Sequence, residues 1–412
     1  STMNQATSIR IPARPRHSST PRGTIRVGFL SAHNYLDRAS WSGTLFYMRQ
    51  ALNREGLQIV QLGTPNQYAP WQKKVLRYGQ KFKNLFQAES FHPSIPSRWL
   101  ETVQQQLLQQ PCDFILAPIA SKEVALLDTS IPILYLSDTT ARLFCQEQHY
   151  LSSYKGQSGG QGGLDEMAIA FMEQLDAIAL AKSTHVIYPS DWAAQSALTD
   201  YGLSPSKVSV IPFGANLDQP PMVDAVHYHR RLLPQSPCRL LFVGTNWQRK
   251  GGDIAFETLL ALHRHHIDAE LVVVGTVPPA SVHHEKLTVI PNLNKNMPLH
   301  RQRLNELFWR SHFFLLPTRA ECYGIVLCEA NAFGLPVLTT DVGGIATLVE
   351  NGRNGYKLSL AATGEDYAHL IADILADETH YQTLVTTSRA EYDQRLNWQQ
   401  WAEQLHQLLY SL

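Results

Sequence analysis

One continuous block limits what this chain can fold into. The short apolar run Phe313-Phe-Leu-Leu-Pro-Thr leads into Glu321-Cys-Tyr-Gly-Ile-Val-Leu-Cys-Glu329, and Ala330-Asn-Ala-Phe-Gly-Leu-Pro-Val-Leu-Thr-Thr-Asp-Val-Gly-Gly344 follows. In order, these stretches read as strand, loop, helix, strand and glycine turn. The helix is expected to open near Gly324, with Ile325, Leu327 and Cys328 packing inward, and Gly334-Leu-Pro ends it. That places the first carboxylate in the loop at a strand end and the second more than one turn into the helix. In an open parallel sheet both then lie near the crevice where ligands bind. Carboxylates accept hydrogen bonds from vicinal hydroxyls, and ionised acceptors make the stronger bonds, so two spaced acids suit a polyhydroxylated ligand.

The length of 412 residues suits two domains on a prior of about 100–200 residues each. The 35 basic and 35 acidic residues balance, which argues against nucleic-acid binding driven by net charge. Five scattered cysteines read as reduced thiols rather than a disulfide framework. No apolar run approaches the ~18 residues of a membrane span, and the first residues lack the apolar core of a signal peptide. The expectation is a cytoplasmic protein, at most peripheral at the inner membrane face. Residues 1–24, with Arg10, Arg14, Arg16 and Arg22 among prolines and serines, read as a disordered leader.

Glu, seven residues, Glu, with an aromatic-Gly pair inside and Gly343-Gly344 downstream, resembles the signature of the retaining glycosyltransferases of family four. The similarity runs from about Ile25 onward and is strongest from Tyr188 to Tyr356. It implies the GT-B fold: two Rossmann-like, doubly wound α/β domains facing a central cleft. Residues 25–215 would bind the acceptor and 216–397 the nucleotide-sugar donor, with a last helix over 398–412 crossing back onto the first domain.

The first domain opens with the apolar strand Ile25-Arg-Val-Gly-Phe-Leu, a long loop and a helix from near Gly43 carrying Leu45, Met48 and Leu52 on one side. The resemblance puts this loop at the cleft, so Asp37, Ser42 and Gly43 are candidates to meet the acceptor, with His33 and Asn34 beside them. Gly43 either allows a close backbone approach or simply permits a tight turn. Over 70–86, Trp71, Val75, Tyr78, Phe82 and Leu85 recur at helical spacing opposite Lys73, Lys74, Arg77 and Lys81. The first reading is a helix packed on its own domain with a solvated basic face; the same pattern suits peripheral contact with anionic lipid. Further elements are expected at Trp99–Gln110 (helix), Asp113–Ala117 and Ile133–Leu136 (strands). The last strand runs into Ser137-Asp138, where many relatives carry a histidine facing the anomeric carbon. Asp138 is the substitute candidate, with Ser137 second; the alternative is that Asp138 is only a helix cap. A Gly-rich loop over 152–163, a helix from Leu164 to Ala181, the strand His185–Tyr188 and the crossover around Pro212 and Gly214 complete this half.

The second domain opens with the strand Arg239-Leu-Leu-Phe-Val-Gly244 and the loop Thr245-Asn-Trp-Gln-Arg-Lys-Gly-Gly252. A glycine-bearing, doubly basic loop before a helix is a natural pyrophosphate site, because cations and backbone N–H groups converge at the positive helix end. Lys250 matches the family lysine. The family arginine after the strand glycine is Thr245 here, and Arg249 is the candidate to supply its charge. Helical residues are expected at Leu304–Arg310. By the same resemblance Glu329 would hold the ribose and Glu321 would face the donor sugar. Backbone N–H groups of Cys322, Tyr323 and Gly324, with Ile325, Gly244, Thr245 and Asn292, would line the donor site.

These assignments imply transfer of a sugar from a UDP-, GDP- or ADP-sugar to a glycan, lipid or small-molecule hydroxyl, with no cofactor and no metal. His263-Arg-His-His266 reads as a solvated helix end, since no carboxylate or cysteine stands at a spacing that completes a metal site. Alternatives are a catalytically weak sugar-nucleotide-binding subunit, or an epimerase or phosphorylase of the same fold. The absence of G-x-G-x-x-G from both halves argues against a dinucleotide dehydrogenase.

Overall fold

The computed structural model describes residues 24–31, 33–63, 97–153, 166–233 and 237–412. The basic stretch 70–86, nearly all of the leader and most of the Gly-rich loop lie outside the described residues.

Strands and helices alternate through most of the chain. The first half runs β1 (Arg26–Leu30), α1 (Thr44–Arg54), β2 (Gln58–Leu62), α2 (Ser97–Gln109), β3 (Phe114–Pro118) and α3 (Ser121–Leu126). It continues with β4 (Ile133–Leu136), α4 (Ala141–Ser153), α5 (Glu166–Lys182), β5 (His185–Tyr188), α6 (Asp191–Thr199) and β6 (Val208–Val210). The second half runs α7 (Val223–Leu232), β7 (Cys238–Val243), α8 (Gly252–Arg264), β8 (Ala269–Val274), β9 (Leu287–Ile290) and α9 (Pro298–Arg310). Then come β10 (Phe313–Leu316), α10 (Ile325–Ala332), β11 (Val337–Thr340), α11 (Ile345–Leu348), β12 (Gly355–Leu358), α12 (Gly364–Leu375), α13 (Glu378–Gln394) and α14 (Trp398–Ser411).

Two parallel sheets result, ordered β2-β1-β3-β4-β5-β6 and β12-β11-β10-β7-β8-β9. Helices cover both faces of a parallel sheet, so its strands read as unbroken apolar runs rather than alternating ones. Phe313-Phe-Leu-Leu and Ile133-Leu-Tyr-Leu are buried at all four positions. In each sheet the chain reverses its direction of winding once, between β1 and β3 and between β7 and β10. Loops diverge at those points and leave a crevice beyond the carboxyl ends of the strands.

Helix α9 begins at Pro298 rather than near Leu304. Proline at a first helical position fits without loss, since its missing N–H has no intrahelical partner there. The last helix, α14, packs on α1 of the first half. Two stretches of chain therefore run side by side between the halves: Ala215 N–H donates to the Leu396 carbonyl at 3.0 Å. The Asn216 amide accepts from Trp398 Nε1 at 2.8 Å and donates to the Ser42 carbonyl at 2.9 Å.

Candidate functional site

Both crevices open onto one cleft of about 560 Å³. From the first half it is lined by Asp37, Arg38, Trp41, Ser42, Asp138 and Phe213, and from the second by Gly244, Thr245, Arg249, Lys250, Asn292, Lys295, Glu321, Tyr323, Gly324 and Ile325, among others. Most of the residues singled out in the sequence therefore meet in one place.

The end of β7 and the end of β10 bring the charged pair together. Lys250 Nζ is ion-paired and hydrogen-bonded to Glu321 Oε2, and both side chains are nearly buried. Burial holds the Lys250 ammonium below its usual range, and the Glu321 charge opposes that shift. Arg249 donates to the Ala320 carbonyl at 3.1 Å. Its backbone is held in turn, since Arg319 N–H donates to the Arg249 carbonyl at 2.7 Å. The Arg319 guanidinium makes a forked pair with Asp253 at 2.8 and 2.7 Å. Gly251 explains why the basic loop ends in glycine: φ is +75°, and a Cβ there would lie 1.8 Å from the Pro317 carbonyl oxygen. The downstream Gly-Gly acts the same way on the acid. A Cβ on Gly343 would lie 1.8 Å from the Glu321 carbonyl oxygen, so the turn can press against the backbone that carries Glu321.

Opposite stands Asp138 at the end of β4, whose Oδ2 accepts from Trp41 Nε1 at 3.1 Å. Burial raises its carboxyl to about 6, against the pull of that hydrogen bond. Trp41 and Ser42 hold φ of 45° and 58°. Strained backbone of this kind persists only where surrounding packing fixes it, and here it lies in the cleft wall.

Three residues singled out from the sequence take other places. Cys322 does not line the cleft; its thiol donates to Glu147 Oε2 at 3.6 Å. Gly43 is buried in the turn behind Ser42, with φ of +87°, and a Cβ there would lie 2.9 Å from the Arg38 carbonyl oxygen. Glu329 is 1 % exposed and sits behind the main cleft, in a small pocket of about 30 Å³ that shares Lys295 with it. Its Oε1 accepts from Lys295 Nζ at 3.0 Å, and its Oε2 has no hydrogen-bond partner. Desolvation raises this carboxyl, with Lys295 opposing.

Trp41, Lys295 and Glu147 were missed from the sequence. Glu147 on α4 is raised to about 7, by burial first and then by the nearby Glu321 charge. Nothing local marks it, since α4 reads as an ordinary amphipathic helix. Lys295 could have been flagged as the lone cation beside Asn292. The two halves are also bridged in two places: at the cleft Asn296 joins the Arg38 N–H (3.0 Å) and Asp37 (2.8 Å), and elsewhere Asp191 N–H donates to Thr347 (2.9 Å).

Residues 237–377 match the family model described as "Glycosyl transferases group 1". This segment resembles the group 1 glycosyltransferases. It contains Lys250, Glu321 and Glu329, so the ion pair and the buried carboxylate lie within the part of the chain that matches this family. The chain is 28% identical over 244 residues to a D-inositol 3-phosphate glycosyltransferase of Acidothermus cellulolyticus, covering 55% of this chain and 53% of that protein. It thus spans about half the length of the curated relatives it matches. Among solved structures, sucrose-phosphate synthase from Thermosynechococcus elongatus superposes with a TM-score of 0.64 at 18% identity, covering 94% of this chain and 98% of that one. Anabaena HepE in complex with UDP and glucose gives 0.60 at 16%, with 94% and 100% covered. The two facing doubly wound sheets are the GT-B fold. No helix among the described residues is long and apolar enough to cross a membrane.

Proposed function

We propose that this protein is a retaining glycosyltransferase that moves a sugar from a nucleotide-sugar donor to a hydroxyl of a glycan, lipid or small-molecule acceptor. The observation that carries the reading is the Lys250–Glu321 pair, buried at the seam of the two domains with Arg249 beside it and Asp138 across the cleft. The bound UDP of HepE supports a nucleotide donor by analogy.

In this reading the donor diphosphate lies over the Gly244–Lys250 loop, at the N-terminus of α8. Lys250 and Arg249 neutralise the charge that grows on the departing diphosphate, a stabilisation aimed at the transition state. Glu321 orients the donor sugar through its hydroxyls, and the acceptor hydroxyl attacks from the leaving-group face. Its proton passes to a donor phosphate oxygen. Side-chain cations and helix N–H groups carry the diphosphate charge, so the scheme uses no metal. Closure of the two domains over the donor excludes water from the activated sugar and limits hydrolysis.

Thr245 in place of the family arginine, and Asp138 in place of the histidine, favour one rival: a GT-B subunit that binds the donor without turning it over. A thermal-shift screen of UDP-, GDP- and ADP-sugars, followed by diphosphate release with an acceptor panel, separates the two. Release abolished by Lys250→Ala supports the transferase. Stabilisation by a donor without release under any acceptor supports the subunit.

A further inference from the structure

We propose that the second domain carries a zinc site on its outer surface, formed by His265, Glu365 and His369. The sequence supplies only a cluster of histidines at the end of α8, with no carboxylate at a useful spacing. The fold brings the missing ligands from a hundred residues further on. Glu365 lies in the first turn of α12 and His369 one turn later, an i, i+4 pair on one helical face. His265 caps the C-terminus of α8 and reaches the same carboxylate.

The three side chains converge on one carboxylate oxygen. His265 Nε2 is hydrogen-bonded to Glu365 Oε1, and His369 Nε2 lies 3.2 Å from the same oxygen. The two imidazole rings are 4.9 Å apart, centroid to centroid. One ligand atom from each residue falls within 4.8 Å of the others. A tetrahedral zinc shell, with bonds of ~2.0–2.2 Å, needs ligand atoms about 3.3–3.5 Å apart. Small χ rotations of these partly exposed side chains make up the difference.

The elements beneath are fixed. Helices α8 and α12 pack along each other, and Gly364 N–H donates to Glu257 Oε2 at 2.9 Å. Thr363 and Asp366 form a reciprocal cap at the start of α12. Arg264 holds the other oxygen of Glu365 at 2.8 Å, which orients the carboxylate as outer partners do in metal sites. The same positive charge tempers the affinity. Two imidazoles and one carboxylate suit a borderline cation such as zinc and do not suit magnesium. The bound ion would tie the end of α8 to the start of α12.

This site is separate from the cleft chemistry. Lys250 precedes the first turn of α8 and His265 follows its last, and 13 residues at ~1.5 Å each put them about 20 Å apart. Its test does not depend on sugar transfer.

The full chain, stripped with a chelator and dialysed, is titrated with zinc chloride against a chromophoric zinc indicator and melted with and without the ion. One zinc per chain is expected. The melting temperature should rise by roughly 5–10 °C at a hundredfold excess over the dissociation constant. Affinity should fall at least tenfold in His265→Gln and in His369→Gln, and magnesium should give no shift. Glu321→Gln should bind zinc as the parent does. Unchanged zinc binding in the His265→Gln/His369→Gln double variant would overturn the site, as would an equal shift with magnesium. The replaced side chains are exposed or nearly so, and melts of the metal-free variants should match the metal-free parent.

Discussion

Replacing Lys295 by methionine isolates the energetics of the buried Glu329 carboxylate. Glu329 is 1 % exposed, Lys295 Nζ lies 3.0 Å from its Oε1, and its Oε2 has no partner. Removing the cation leaves a negative charge in the protein interior with no counter-ion. Breaking one side of a buried pair costs about 3–5 kcal/mol, and the partial exposure of Lys295 argues for the lower end, about 3 kcal/mol. At 2–4 °C per kcal/mol, the melting temperature should drop by roughly 6–12 °C at pH 8.

The loss should also depend on pH. The Glu329 carboxyl is raised above its ordinary value of 4.5 by desolvation, and Lys295 pulls it back. Without Lys295 it rises further, so the folded state takes up a proton more readily than the unfolded chain. Stability arising from an acid raised in the folded state is present at low pH and lost as pH climbs through the folded value. The gap between Lys295→Met and the parent should therefore narrow from pH 8 to pH 5. Adding Glu329→Gln removes the stranded charge, so the double variant should melt above Lys295→Met at pH 8. Thermal unfolding followed by circular dichroism at both pH values reads all of this. A Lys295→Met protein as stable as the parent at pH 8, or a double variant no better than the single, would refute the reasoning.

Lys250→Ala and Glu321→Gln should each reduce diphosphate release by about 10²–10³-fold while keeping a cooperative melt, as measured by steady-state turnover and calorimetry. Asp138, raised to about 6, carries its charge above that pH and loses it below. Transfer should thus fall as pH drops through about 6, and Asp138→Asn should be slow at every pH with that limb missing from its pH–rate profile. Asn216→Ala breaks the bonds to Trp398 and Ser42 and should cost about 1–3 kcal/mol in denaturant melts, chiefly from the indole N–H left unpaired in the interior.

Where burial on both faces dictates the residues, the fold was legible in the sequence. Ile133–Leu136 and His185–Tyr188 are strands over the expected bounds, and α10 starts directly after Gly324. The start of α9 was legible too, in Pro298, but the weak apolar pattern before Leu304 hid it. The cleft was half legible. Glu321, Lys250 and Arg249 belong to local motifs whose loops follow strands, so their convergence follows from the topology. Glu147, Trp41 and Lys295 take their roles from partners on other elements, and no local pattern records such a meeting. Glu329 shows the same limit in reverse. Its spacing from Glu321 put it on the helix, but not behind the cleft with a lysine on its carboxylate. The surface histidines of α8 needed Glu365 and His369 from α12 before their chemistry had any shape.

The paired passage of the chain between its halves has a mechanical consequence. With Ala215 bonded to Leu396 and Asn216 to Trp398, the connection is a strap of two strands rather than a single tether. A single tether would let one lobe roll, twist and swing; a doubled strap resists torsion and leaves a door-like swing about its own edge. Each opening should therefore return Asp37 to Asn296 and Asp191 to Thr347 in the same register, without a search among alternative dockings.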